Sequence, residues 1–292
     1  MDAKRRRVEG KYPARGNRFD GKVVIITGAA GNFGAVCARM LAAEGAKVAL
    51  VDLAEDKVRE VAEEVKQAYG TEARSFTADV TKEEQVQRMV EEVQKEFGQI
   101  DCLFNNAGYQ GLFAPVDTYS FEDFEKVMKI NVAGVFVVLK HVSKVMVQQK
   151  RGSIVNTASC AGLGCPTMMP AYGSSKAAVN HLTKISALDL APSNVRVNSV
   201  SPAFIGPEDG FMWKRQVDLQ SKANPTGAPE FYFSNDPEKV AKQMVDSVPL
   251  RRLGTVEEVI QTVMFLLSEE SSYITGTDIN VSGGNVMGGS RG

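Results

Sequence analysis

Tyr172 and Lys176 lie at positions i and i+4 of the stretch Ala171-Tyr172-Gly173-Ser174-Ser175-Lys176. On a helix, that spacing puts both side chains on one face. A phenol ordinarily ionises near pH 10, too high for a base at neutral pH. A neighbouring ammonium favours the phenolate and is expected to bring that value down. Such a pair can take a proton from an oxygen or return one to it. Ser159, shortly upstream, has a hydroxyl that can hold the same oxygen. A Tyr-x-x-x-Lys pair is commonplace on helices, however, so its meaning depends on the elements around it.

Those elements begin with Val23-Val24-Ile25-Ile26, which reads as a buried strand ending at Thr27. The loop Gly28-Ala29-Ala30-Gly31-Asn32-Phe33-Gly34 follows, and a helix is expected over 32–44. A glycine-rich turn between strand and helix lets the backbone approach a pyrophosphate, with free N–H groups of the helix start pointing at it. A second strand, 47–51, runs into Asp52, about 20 residues beyond the loop, where a carboxylate can accept hydrogen bonds from a ribose. It would repel a 2′-phosphate. Its neighbours Leu53 and Ala54 are uncharged, and Lys57 is expected on the solvent face, so NAD is expected over NADP. Asp79 and Val80 close the third strand, where an adenine would rest.

Further on, helical spacing predicts a helix over 55–69, a strand over 73–77 and a helix opened by a capping box at Thr81-Lys82-Glu83-Glu84 and running to Phe97. Strands at 102–105, 153–157, 195–200 and 279–281 alternate with helices at about 120–149, 171–190 and 255–267, the last opened by Thr255 and Glu258. Alternation of this kind predicts an α/β fold: a single doubly wound Rossmann-type domain over 19–292, with a seven-stranded parallel sheet and helices on both faces. The stretch 203–237 is rich in Gly, Pro and aromatics, has weak periodicity, and reads as a substrate loop.

Composition narrows the function classes. A net charge of −1 provides no global attraction for nucleic acid or anionic membrane. The longest apolar run, 132–139, is short of the ~20 residues that span a bilayer. Two histidines and four cysteines without a CxxC pair (Cys37, Cys102, Cys160, Cys165) make no convincing metal site and suit free thiols in a reducing, cytoplasmic setting. The basic run Lys4-Arg5-Arg6-Arg7 belongs to a tail over 1–18 that reads as solvated; a nucleic-acid role for it is the distant alternative.

In order along the chain stand Thr27-Gly28-Ala29-Ala30-Gly31-Asn32-Phe33-Gly34, Asp79, Asn105-Asn106-Ala107-Gly108, Asn131, Ser159, Tyr172-x-x-x-Lys176 and Ser201-Pro202. This series resembles the short-chain dehydrogenase/reductases over 19–284, nearly the whole chain after the tail. Two departures stand out. Asn32 occupies a usual glycine slot, where its tolerance of left-handed backbone is expected to preserve the turn. Pro202-Ala203 replaces a Pro-Gly. The resemblance implies Tyr172 as acid/base, Ser159 on the substrate oxygen, Lys176 also on the nicotinamide ribose, and Asn131 as a relay residue. It further implies cofactor contacts at Gly28, Asn32, Phe33, Gly34, Asp52, Leu53, Asp79, Val80, Asn106, Ala107, Gly108, Pro202 and Ile205. A homotetramer formed through the helices at 120–149 and 171–190 is implied as well.

Within that family the chain is most similar to NAD-dependent polyol dehydrogenases acting on xylitol and D-xylulose, through 31–34, Asn106-Ala107-Gly108-Tyr109-Gln110-Gly111, Gly206-Pro207 and Phe211-Met212-Trp213. Gln110, Phe204 and Trp213 are therefore expected at the substrate, with Met168, Met169 and Phe211 lining or covering it. Glu208 and Asp209 are either hydroxyl ligands or solvated charges. Two other functions fit the same residues: a 3-oxoacyl or other carbonyl reductase, and a non-catalytic NAD-binding scaffold.

Overall fold

The computed structural model describes residues 12, 16–164, 167–208, 210–223 and 234–285. Cys165, Asp209, the Lys4–Arg7 run and the side chains of Phe211 and Met212 lie outside what it describes.

Seven parallel strands form one sheet: β1 (Val23–Thr27), β2 (Lys47–Asp52), β3 (Ala73–Thr77), β4 (Cys102–Asn105), β5 (Gly152–Thr157), β6 (Val195–Pro202) and β7 (Asp278–Val281), in the order β3-β2-β1-β4-β5-β6-β7. The order reverses between β1 and β4. That is the point where open α/β sheets bind ligands beyond the carboxyl ends of their strands. β1 shows why the sheet is two-sided: Val24 and Ile26 enter one core with α1 (Asn32–Ala43) and α9 (Val256–Leu267), while Val23 and Ile25 enter the other with α3 (Glu83–Phe97) and α5 (Val135–Gln149). A period of two sends alternate residues to opposite faces, and both faces are covered, so the strand is apolar throughout.

Three expectations are corrected. First, helix α3 begins at Glu83 without a side-chain cap. Instead of a Thr81 box, Asp79 Oδ1 accepts the Thr81 N–H (2.9 Å) and Gln85 Oε1 accepts the Asp79 N–H (2.9 Å). The box at Thr255 and Glu258 does form. Second, the helix expected over 120–149 is two α-helices, α4 (Phe121–Met128) and α5, joined by a π turn at Lys129–Gly134 with Asn131 inside it. Apolar periodicity does not register a single widened turn. This 29-residue helical run, with a hydropathy of 1.6 in its most apolar window, is long and apolar enough by composition to cross a membrane, which a count of consecutive apolar residues misses. Here α5 packs on β4, β5 and α3.

Third, the stretch expected as a loop contains α7 (Phe211–Lys222) and is followed by α8 (Pro237–Asp246). Asp236 caps α8 by accepting the Glu238 N–H, and Pro237 occupies its first turn, where a missing N–H costs nothing. Val240 and Met244 of α8 bury against Trp213 and Val217 of α7. α8 carries apolar residues at helical spacing (Val240, Ala241, Met244, Val245) just beyond the stretch read as a loop, whereas α7 shows one buried apolar i, i+4 pair, Trp213 and Val217, among its described side chains. α6 (Pro170–Leu190) and α2 (Glu55–Tyr69) lie where helical spacing puts them.

Candidate active site

A cavity of ≈ 610 Å³ opens at the carboxyl edge of β1, β2, β4, β5 and β6. At one end, the chain leaves β1 through Gly28, the left-handed residue of the loop (φ +66°), and enters α1 at Asn32. Asn32 is helical, so the left-handed tolerance expected of it is not used. Gly34 is where a side chain is forbidden: a Cβ there would sit 2.3 Å from Gly28 O and 2.6 Å from Ala29 Cα. Gly31 caps α1 without a side chain, and the first intrahelical bond is Ala35 N–H to Gly31 O, so the N–H groups of Asn32, Phe33 and Gly34 stay open to an anion.

Asp52, at the end of β2, is aimed by the backbone: Oδ2 accepts the Ala30 N–H (2.9 Å) and Oδ1 the Ala54 N–H (3.0 Å). Leu53, Asp79 and Val80 share this end of the cavity. Lys57, expected in solvent, is exposed yet lies on the rim. Across the cavity, Thr27 Oγ1 accepts the N–H groups of Asn106 (2.9 Å) and Ala107 (3.1 Å), which ties the loop after β4 to the loop after β1. These donors and the aimed carboxylate fit a dinucleotide.

Ser159, Tyr172 and Lys176 meet at the other end. Ser159 ends the run from β5, with Oγ accepting the Ala161 N–H (3.2 Å) and donating to Pro202 O (3.4 Å). Lys176 is buried; its Nζ donates to Thr157 O (2.7 Å) and lies 5.6 Å from the Tyr172 ring centre. Desolvation brings this ammonium down to about 8. Tyr172 moves the other way from the expectation: burial pushes its phenol above the ordinary value, and a hydrogen bond with Ser159 only partly opposes that. Removal of water, and not the lysine charge, governs Tyr172 in this state.

Asn131 does not line the cavity. It is fully buried behind it, with Oδ1 accepting the Tyr109 N–H (2.8 Å) and Nδ2 donating to Tyr109 O (2.8 Å) and Ser175 Oγ (3.0 Å). The π turn therefore delivers a side chain that pins the loop after β4 and, through Ser175, the helix bearing Tyr172 and Lys176. Asp123 of α4 holds the same loop. It accepts from Tyr109 Oη (3.1 Å), Tyr119 Oη (2.6 Å) and the Leu112 N–H (2.9 Å). Burial opposes its charge, but those donors outweigh burial and keep the carboxyl below its usual range.

Of the expected site residues, Gly28, Asn32, Phe33, Asn106, Ala107, Gly108, Gln110, Pro202 and Ile205 line the cavity, and Gly34 backs the loop. Phe204 and Trp213 do not line it. Trp213 is 4% exposed, packs edge-on to Phe204 (centroids 6.2 Å apart) and forms the core beneath α7 and α8. Met168 and Met169 are buried as well, and Glu208 is exposed. Cys160 is a packed thiol that donates to Asn280 Oδ1 (2.9 Å), and burial pushes it up to about 12. Tyr109, Asp123 and Gln216 were missed in the sequence. Their type alone carries no signal, and Gln216 stands on a helix that periodicity did not show.

A family model described as short chain dehydrogenase matches residues 22–215, and one described as enoyl-(acyl carrier protein) reductase matches 223–285. A solved structure of NAD+-bound xylitol dehydrogenase is 51% identical, with a TM-score of 0.87 over 91% of this chain and 99% of that one. Levodione reductase of Leifsonia aquatica is 35% identical over 91% of this chain and 95% of its own length. A 3-oxoacyl-acyl-carrier-protein reductase of Thermotoga maritima is 35% identical over 92% and 100%.

Proposed function

This chain belongs to the short-chain dehydrogenase family, and on that premise we propose that it is an NAD-dependent oxidoreductase that moves a hydride between a sugar alcohol, xylitol or a similar polyol, and its ketose. The observation that carries the reading is the convergence on one cavity of Asp52, aimed at a ribose, with Ser159, Tyr172 and Lys176. The 51% identity to a xylitol dehydrogenase supports the substrate class.

The open N–H groups of 32–34 take the pyrophosphate, and Asp52 takes the adenosine ribose. When bound, the nicotinamide accepts or supplies the hydride. Ser159 Oγ donates to the substrate oxygen. Tyr172 Oη, on the same oxygen, takes the hydroxyl proton during oxidation and returns it during reduction. With its phenol raised by burial, Tyr172 needs added positive charge nearby to reach the phenolate, so oxidation quickens as pH rises. Lys176 holds the nicotinamide ribose and keeps its proton best below about pH 8. Asn131 acts as a positioning residue on the loop after β4 and relays protons from Lys176. A homotetramer through α5 and α6, where Phe136, Val147, Ile185 and Leu188 are exposed, completes the reading, as does a reducing cytoplasmic setting that suits the buried thiols of Cys37, Cys102 and Cys160. Light scattering checks the mass.

A panel of C5 and C6 polyols with NAD tests the substrate: turnover of at least one is expected, and none sinks the reading. Tyr172→Phe is expected to lose at least about 100-fold in kcat. Unchanged turnover would remove Tyr172 from the chemistry. A second reading, a carbonyl reductase using NADPH, is favoured by Lys57 on the rim near Asp52 and by the 3-oxoacyl reductase relative. Preference for NADPH and an acyl thioester would establish it instead.

A further inference from the structure

Gln216, whose neighbour Arg215 reaches the loop after β4, lies on α7 and lines the cavity that also holds Ser159 and Tyr172. Its rotation about the helix is fixed, because Trp213 and Val217 on either side of it in sequence are buried against Val240 and Met244. Its carboxamide has no hydrogen-bond partner among the described residues. Gln110, on the loop after β4, faces the same cavity, and its Oε1 accepts from Arg215 Nη1 (3.3 Å). A guanidinium only donates, so Arg215 holds the oxygen of the Gln110 amide and leaves the NH2 to donate elsewhere. These two carboxamides therefore line this cavity, one without a partner at either end among the described residues and one with its donor end free.

We propose that Gln216 and Gln110 form the clamp that selects polyhydroxylated substrates, reading hydroxyls carried beyond the reacting carbon, and that Arg215 is the positioning residue that orients Gln110. The proposal rests on the polyol reading and extends it to the residues that enforce it. Hydroxyls both donate and accept, so neighbouring hydroxyls satisfy the donor of Gln110 and either end of Gln216. An acyl chain or an apolar ring offers no partner to the NH2 of Gln110 or to either end of Gln216. A site built to hydrogen-bond a substrate rejects an analogue lacking those groups far more strongly than an apolar pocket rejects a hydroxyl.

Steady-state kinetics with NAD on a C5 polyol and on 2-pentanol test the clamp, comparing wild type with Gln216→Leu, Gln216→Glu and Arg215→Met. Gln216→Leu is expected to lower the ratio of kcat/KM for the polyol over that for 2-pentanol about tenfold, through KM rather than kcat, the scale of one neutral hydrogen bond. Gln216→Glu, which keeps the acceptor and loses the donor, should lose less. Arg215→Met should lower the same ratio, and Arg215→Lys should restore part of it. KM for NAD serves as the control readout for folding and cofactor binding. A wild type that oxidises 2-pentanol and no polyol overturns the proposed function and the clamp together. A wild type active on polyols whose ratio is unmoved in Gln216→Leu and Gln216→Glu overturns the clamp alone.

Discussion

The two ends of the cavity are held in place by different means. At the dinucleotide end the strands do the holding: β1 and β2 are buried, Asp52 accepts a backbone N–H of the glycine loop, and Thr27 accepts two from the loop after β4. At the substrate end, α7 and α8 rest on a small core of their own, Trp213, Val217, Val240 and Met244. A change at the first end is transmitted to the sheet. A change at the second end is contained, because a satellite core can open without the main one. The contrast predicts that cofactor binding is insulated from variation in α7 and α8.

The largest effect that would break this contrast is at Gly34. In Gly34→Ala the new Cβ meets Gly28 and Ala29 backbone at 2.3 and 2.6 Å, which cannot yield without moving the loop. Thermal unfolding and NAD titration should both suffer, with stability falling by about 3 kcal/mol or more. Native NAD affinity in this variant would mean the loop is softer than the sheet that bears it. Next comes Trp213→Ala. Deleting a buried indole costs about 3–5 kcal/mol where it acts. That cost should appear as a raised KM for the alcohol and as proteolysis within 203–253, with the main unfolding transition shifted far less. A fully cooperative drop in Tm would show that the two cores are one.

Asp52→Asn should follow. Loss of the charge removes the repulsion of a 2′-phosphate and weakens the ribose contact, so the NAD-to-NADP ratio of kcat/KM should fall by about tenfold. Lys57 on the rim would then favour the phosphate. The smallest effect on stability belongs to Lys176→Met, and its sign is opposite. The folded value, about 8, lies below the unfolded one, so between them the unfolded chain holds a proton that the native protein lacks. Stability from this residue is therefore poorest below pH 8 and recovers as pH rises toward about 10.4. Lys176→Met should raise the unfolding free energy at pH 7 by about 1–2 kcal/mol after the lost bond to Thr157 O, while turnover disappears. The gain should vanish near pH 10. A destabilised variant at pH 7 would mean that the buried ammonium is well compensated.

The same contrast explains what the sequence revealed. Strand-ending motifs at 27–34, Asp52, Asn106–Gly108 and Ser159 are legible because an apolar run followed by glycine or a polar residue fixes both the element and its functional edge. Helix α7 was not legible: among its described side chains the buried apolar ones are a single i, i+4 pair, and Trp213 looks like a pocket residue until Met244 and Val240 are seen against it. Asp123 was hidden for another reason. A carboxylate near a helix start is the ordinary N-terminal preference, and only the fold brings Tyr109, Tyr119 and Leu112 onto it. The Tyr172–Lys176 spacing identified the pair but not its electrostatics, which depend on how much water the fold removes.

The turn at Lys129–Gly134 has a consequence for insertions and deletions. A π turn holds one residue more than an α turn, and each residue of helix adds about 100° of rotation and 1.5 Å of rise. A chain shortened by one residue at Ala133 could close this turn as ordinary α-helix while Val138, Val142 and Val145 kept their places in the core. Closing the turn in this way absorbs the missing residue and leaves α4 in place, but it removes the widened turn that aims Asn131 at Tyr109 and Ser175. The shortened chain would have the more regular helix and a worse enzyme.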